Sequence, residues 1–155
     1  MSFSASNSIS LEVNDVFIQL GKVDIDIRCM VNCSDELILH GIRLLRSNKS
    51  IVYLTSANKI VLQDLELNDR TETKSKTTCG DNGLMYLYIK ISRYLVYPLK
   101  DIGPYLCRLK TFSSDGAPFT YDSNIVMLNI TGNLDNLSIL FLSFLSLKIF
   151  PFAFP

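Results

Sequence analysis

The chain has 155 residues, with 15 basic and 15 acidic side chains and no tryptophan. That is room for one domain with a real hydrophobic core, flanked by short tails. Balanced charge without a basic block argues against a surface built to neutralise nucleic-acid phosphates, and no nucleic-acid partner is expected.

The four cysteines, Cys29, Cys33, Cys79 and Cys107, form an even set. They suit two disulfides in an oxidising compartment, or reduced and buried small side chains in a cytosolic one. Zinc prefers closely spaced pairs, and Cys29-x3-Cys33 is the nearest approach to one, so a metal site is not expected. Met1 to Ser8 has no positive charge and no apolar run, so this stretch is not expected to act as a signal peptide. The expectation is a fragment of a longer precursor, the alternative a chain that is not exported.

In chain order, Leu11, Val13 and Val16-Phe17-Ile18 predict an opening strand that switches or bulges near Asn14-Asp15. After the Gly21 turn, Val23, Ile25, Ile27 and Cys29 alternate with Asp24, Asp26 and Arg28, the period of a half-buried strand. Leu37 to Arg46 predicts a further strand with Ile38, His40, Ile42 and Leu44 on one face. A strand over Ser50–Thr55 follows the Ser47-Asn48-Lys49 turn. Ile60–Leu67 is apolar without a clear period, and the charged stretch Asn68–Thr78 predicts a solvated edge. Gly80-Asp81-Asn82-Gly83 marks a turn. Met85, Leu87, Ile89 and Ile91 then alternate with Tyr86, Tyr88 and Lys90. Tyr97-Pro98 ends that strand. Pro104–Phe112 and Phe119–Thr131, joined by Ser113-Ser114-Asp115-Gly116-Ala117-Pro118, predict the last two. Many short strands with turn punctuation argue for an all-β sandwich.

No catalytic motif is visible. His40 is the single histidine and is expected as a satisfied core or rim residue. There is no Gly-x-Ser-x-Gly elbow, no phosphate-cradling loop and no His-Glu-x-x-His. The chain is therefore not expected to be an enzyme or to take a cofactor. Four Asn-x-Ser/Thr triplets, at Asn32, Asn48, Asn129 and Asn136, are candidate glycosylation acceptors if the chain is secreted. Leu137 to Pro155 is an abrupt apolar tail interrupted by Lys148 and Pro151. It reads as a membrane span, as a glycolipid-anchor signal, or as an accidental end, so membrane association through 137–155 is one expectation.

Asp101-x-Gly103-x-Tyr105-x-Cys107, Cys29 on its alternating strand, the Leu84–Ile91 strand and the closing strand through Ile130 together resemble one immunoglobulin-superfamily domain of variable or intermediate type. More narrowly, the run from Tyr86 through Tyr97-Pro98 to Asp115-Gly116-Ala117-Pro118 is similar to the immunoglobulin-like domains of invertebrate fibrinogen-related immune lectins. The resemblance covers about residues 9–131 and leaves 132–155 as the tail. It implies an immunoglobulin-like Greek-key β-sandwich with an inter-sheet bridge between Cys29 and Cys107 and a second bridge between Cys33 and Cys79. It also implies a tyrosine corner at Asp101, Gly103 and Tyr105. Ile42, with Leu44 beside it, takes the place where such domains carry a tryptophan. Asp101 is expected to pair with a basic residue, Arg70 first and Lys74 or Lys76 as alternatives. An exposed pair of that kind is worth at most about 1 kcal/mol. The function implied is non-catalytic extracellular or cell-surface recognition or adhesion, innate immune in character, of a protein or glycan ligand contacted by surface loops. The alternative is a structural spacer or fragment of a larger protein.

Overall fold

The computed structural model describes residues 8–33 and 37–132. The opening segment splits between two sheets, as the sequence predicts. β1 (Ile9–Val13) and β2 (Phe17–Gln19) are separated by a break in which the Asn14 amide and carbonyl clamp Asp24 and Asp26 backbone groups at 3.0 and 2.9 Å. β3 (Ile25–Asn32) and β8 (Leu84–Ile91) alternate buried and open along their length. With β1 and the charged edge strand β7 (Thr71–Lys76) they form a four-stranded antiparallel sheet, ordered β1-β3-β8-β7.

The facing sheet is larger. Its strands are β4 (Ile38–Arg46), β5 (Lys49–Thr55), β6 (Ile60–Leu62) and β9 (Gly103–Phe112). They are joined by β10 (Pro118–Asp122) and β11 (Val126–Thr131). The order is β2-β11-β9-β4-β5-β6, with β10 also paired to β9. β5 and β6 extend the sheet beyond β4, and β2 runs parallel to β11. This is the two-sheet arrangement of a variable-type immunoglobulin sandwich.

Inward residues of both sheets make one core. Ile18, Ile25, Ile27, Val31, Ile42, Leu44, Val52, Leu54, Leu87, Ile89 and Leu109 are almost wholly shielded, each such burial being worth roughly 1.5–3 kcal/mol. Ile42 and Leu44 lie on the β4 face where a tryptophan was missing from the sequence, and Leu44 is the direct cross-strand partner of Cys107. The replacement pack is aliphatic.

Two local expectations are corrected, and one stretch left without an element is assigned. Ile38 and His40 do not share the buried face with Ile42: the β4–β9 register shifts between Leu39 and Gly41. The bulge turns Leu39 toward the core and leaves Ile38 and His40 exposed. Phe119–Thr131 is not one strand but two, because Ser123 leaves the ladder to bond the Cys107 backbone with both its amide and its hydroxyl oxygen, at 2.9 Å each. The aperiodic Ile60–Leu67 segment is a three-residue strand followed by a 3-10 turn, Leu65–Leu67, capped by the Asp64 carboxylate on the Glu66 amide at 3.2 Å. No helix among the described residues is long and apolar enough to cross a membrane.

Candidate functional site

The cysteines sit where the strands carry them. Cys29 and Cys107 are bonded across the two sheets with Cα atoms 5.7 Å apart, both side chains being inward positions of alternating strands. Cys33, just past the end of β3, is bonded to Cys79, just before β8, with Cα atoms 5.8 Å apart. β3 and β8 are antiparallel neighbours, so the end of one meets the start of the other.

At the opposite end of β8 the chain makes a single helical turn, α1 (Pro98–Asp101), before entering β9. Tyr105 is 1% exposed, and its hydroxyl donates to the Asp101 carbonyl at 2.8 Å. Burial pushes the phenol up to about 12. Gly103 has φ +128, and a Cβ there would lie 3.1 Å from Ser47 Oγ, so the corner needs glycine.

The Asp101 carboxylate is fully enclosed and fully used. Oδ2 accepts from Arg70 Nη1 and from the Tyr97 amide, both at 2.7 Å. Oδ1 accepts from Arg70 Nη2 at 3.0 Å and from Arg46 Nη1 at 3.3 Å. Arg70 in turn donates to the Glu66 and Leu95 carbonyls at 2.9 and 2.8 Å and stacks 3.9 Å over the Tyr97 ring. Burial works against the Arg70 charge, but the Asp101 hydrogen bonds and the attraction of the Asp101 charge together, with smaller contributions from Tyr97 and Asp64, raise its pKa. Asp101 pairs with Arg70, not Lys74 or Lys76, and the expectation of a weak exposed pair is corrected: the pair is interior. The charged groups of this corner are turned inward and stabilise the fold: Asp101 and Arg70 are both buried.

The chemistry available to a partner lies on the sheet faces. A row of direct cross-strand partners crosses the outer face of the larger sheet: Asp122 on β10, Arg108 on β9, Arg43 on β4, Tyr53 on β5 and Val61 on β6. Arg108 is held by Asp122 in a two-point pair at 2.7 and 2.9 Å, which keeps the Asp122 carboxyl below its ordinary pKa. Arg43 has no carboxylate partner among the described residues. Its guanidinium stacks 4.9 Å from the Tyr53 ring, its Nε is shielded from solvent without a hydrogen-bond partner, and its neighbour is another arginine. Tyr53 leans over Gly41, where an added Cβ would meet its ring at 2.4 Å. Beyond Gly41, His40 meets Phe112 edge-on at 5.1 Å, with Ile38 exposed beside them. His40 is thus a rim residue.

The sequence did not single out Arg43 and Arg108. Only the register reveals that the two arginines are opposite one another. An Arg at the outward phase of a predicted strand was the one available signal, and it is common to solvated faces.

The candidate acceptors are dispersed. Asn32 is exposed at the end of β3, its Nδ2 donating to Ser8 Oγ at 2.9 Å. Asn48 is exposed at the β4–β5 turn with φ +64. Asn129 is half-buried on β11 opposite Phe17. Asn136 and the 137–155 tail lie outside the described residues. Among the described residues no group of three His, Cys, Asp or Glu side chains could hold a metal ion.

No protein-family model matches the chain, and no curated protein sequence matches it. Solved structures do. The chain is similar to murine CRIg at 18% identity and a TM-score of 0.57, covering 80% of this chain and 98% of that one. It is also similar to a chain from the structure describing T cell specificity and activation by the bacterial superantigen toxic shock syndrome toxin-1, at 15% identity and a TM-score of 0.55. That match covers 81% of this chain and 99% of the other. At these identities the likeness shows the immunoglobulin-like fold. Neither match is to an invertebrate lectin domain.

Proposed function

We propose that this chain is a non-catalytic extracellular recognition module, residues 9–131, whose contact surface is the outer face of the larger sheet. The partner is a protein presenting an acidic side chain next to an apolar patch. The supporting observation is Arg43. A shielded guanidinium nitrogen without an acceptor, set opposite a second arginine, costs stability in the free domain. A carboxylate from a partner would pair with the Arg43 Nη groups and offset the charge beside the shielded Nε, while Tyr53, Phe112 and Ile38 supply desolvated apolar contact. Two disulfides favour an oxidising compartment, and an immune role is the finer part of the same reading. Contact through the sheet face replaces the loops that the family resemblance implied.

The test is staining of intact cells by a fluorescent multimer of the chain, compared with its Arg43→Met and Tyr53→Ala variants. Staining lost in both variants, with melting temperature kept, supports the proposal. Equal staining by all three places the contact elsewhere. Free thiols at Cys29 and Cys107 in native protein from its source tissue would overturn the extracellular assignment.

A further inference from the structure

The outer face of the four-stranded sheet carries a second, different feature. Arg28, Met30, Lys74, Tyr86 and Tyr88 line a shallow groove of about 290 Å³. That is near the lower bound of small-ligand sites, about 300 Å³. Tyr88 forms its floor between two cations, with the Arg28 guanidinium 5.4 Å and Lys74 Nζ 5.9 Å from its ring centroid. Its hydroxyl is tied to Asp26 Oδ1 at 2.5 Å. Tyr86 stands directly opposite Met30. Asn32 shares this face: along β3, Asp26, Arg28, Met30 and Asn32 point outward while Ile27, Cys29 and Val31 point in. Asn32 pairs with Leu84, which makes Tyr86 its diagonal neighbour, about 7–8 Å away. Asn32 Nδ2 donates to Ser8 Oγ on the β1 side at 2.9 Å, a bond that an attached sugar gives up in turning toward Tyr86.

Asn32 opens the triplet Asn32-Cys33-Ser34. We infer that the groove is occupied by this chain's own carbohydrate, an N-linked glycan on Asn32 whose first sugars stack on Tyr86 and reach Tyr88, Arg28 and Lys74. The apolar C–H face of a sugar suits a tyrosine ring, and its hydroxyls accept from Arg28 and Lys74. The inference rests on the extracellular reading, since the modification belongs to the secretory route. Attachment forms a C–N bond from Asn32 Nδ2 to the anomeric carbon of a lipid-diphosphate-linked oligosaccharide. The C–O bond to the diphosphate breaks, and one amide proton is lost. Cys33 is the middle residue of the acceptor triplet, so the sugar is added before the Cys33–Cys79 bridge closes over it.

The full chain is secreted from cultured animal cells behind an added signal sequence, with Asn48→Gln, Asn129→Gln and Asn136→Gln leaving only the Asn32 acceptor. Glycopeptide mass spectrometry reads occupancy, and thermal unfolding is compared before and after enzymatic removal of the glycan. Expected is an occupied Asn32 whose deglycosylation lowers the melting temperature by about 3 °C, and a Tyr86→Ala background in which deglycosylation changes nothing. An equal drop in both backgrounds, or an occupied Asn32 with no drop, overturns the inference. A parallel wild-type chain separates the two readings. An occupied Asn48 with a bare Asn32 overturns only the glycan shelf. Unmodified acceptors together with free thiols overturn the extracellular reading and the shelf with it.

Discussion

Arg70 and Asp101 form a two-point ion pair at 2.7 and 3.0 Å, with side chains 3% and 0% exposed. They lie 31 residues apart in sequence, and the pair ties the start of the charged edge strand to the entrance of β9. Its energetics are those of an interior pair, in which breaking one side costs far more than the pair's net worth. Asp101→Ala, which strands the Arg70 charge, is expected to lose about 3–5 kcal/mol of unfolding free energy in urea titrations. The Arg70→Met/Asp101→Leu double variant should lose clearly less. Equal losses would mean that the pair itself, and not the stranded charge, supplies the stability.

The inter-sheet disulfide closes a separation of 78 residues. Replacing it with Cys29→Ala/Cys107→Ala should cost about 4 kcal/mol through regained chain entropy. Cys33→Ala/Cys79→Ala opens a 46-residue separation lying inside the first loop. It should cost less, about 3 kcal/mol. Denaturant midpoints of the two double variants decide the order.

Gly41→Ala addresses the sheet face without touching a charge. The new Cβ would fall 2.4 Å from Tyr53 Cε2 and 2.8 Å from the Leu54 carbonyl oxygen. A destabilisation of about 1–3 kcal/mol is expected. Adding Tyr53→Ala should recover only part of it, because the ring can be removed and the Leu54 backbone cannot. Full recovery would place all of the crowding on the ring.

Asp24 provides the acid-sensitive contact. Its carboxylate accepts from the Arg93 amide at 2.8 Å and Nε at 3.0 Å, and pairs with Lys90 at 3.2 Å. The Arg93 backbone bond first, then its side chain, hold the pKa at about 2. A folded-state pKa below the unfolded one means stability present above about pH 4 and lost as pH falls from there toward 2. After allowance for solvent screening the effect is about 1 kcal/mol. Asp24→Asn should flatten the urea midpoint across that pH window, relative to the parent chain.

Much of the architecture was legible along the chain. Met85, Leu87, Ile89 and Ile91 had to share one face because strand side chains alternate, and they are buried as that period requires. His40 and Ile38 misled because a one-residue bulge reverses the alternation, and nothing in Leu39-His40-Gly41 announces it except a glycine. Ser123 was unreadable for a related reason: its two bonds to the Cys107 backbone, which split the last strand, join residues 16 apart.

The sites divide along the same line. Composition and period by themselves determined an all-β chain, with cysteines placed on and beside alternating strands. These are local properties, set by side-chain period and turn chemistry. Only the tertiary structure decided that Arg43 lies opposite Arg108 with no carboxylate partner among the described residues, that Asp101 is sealed inside with Arg70, and that Asn32 shares an outer face with Tyr86 and Tyr88. Each depends on register between strands distant in sequence, where a shift of one residue exchanges the inner face for the outer.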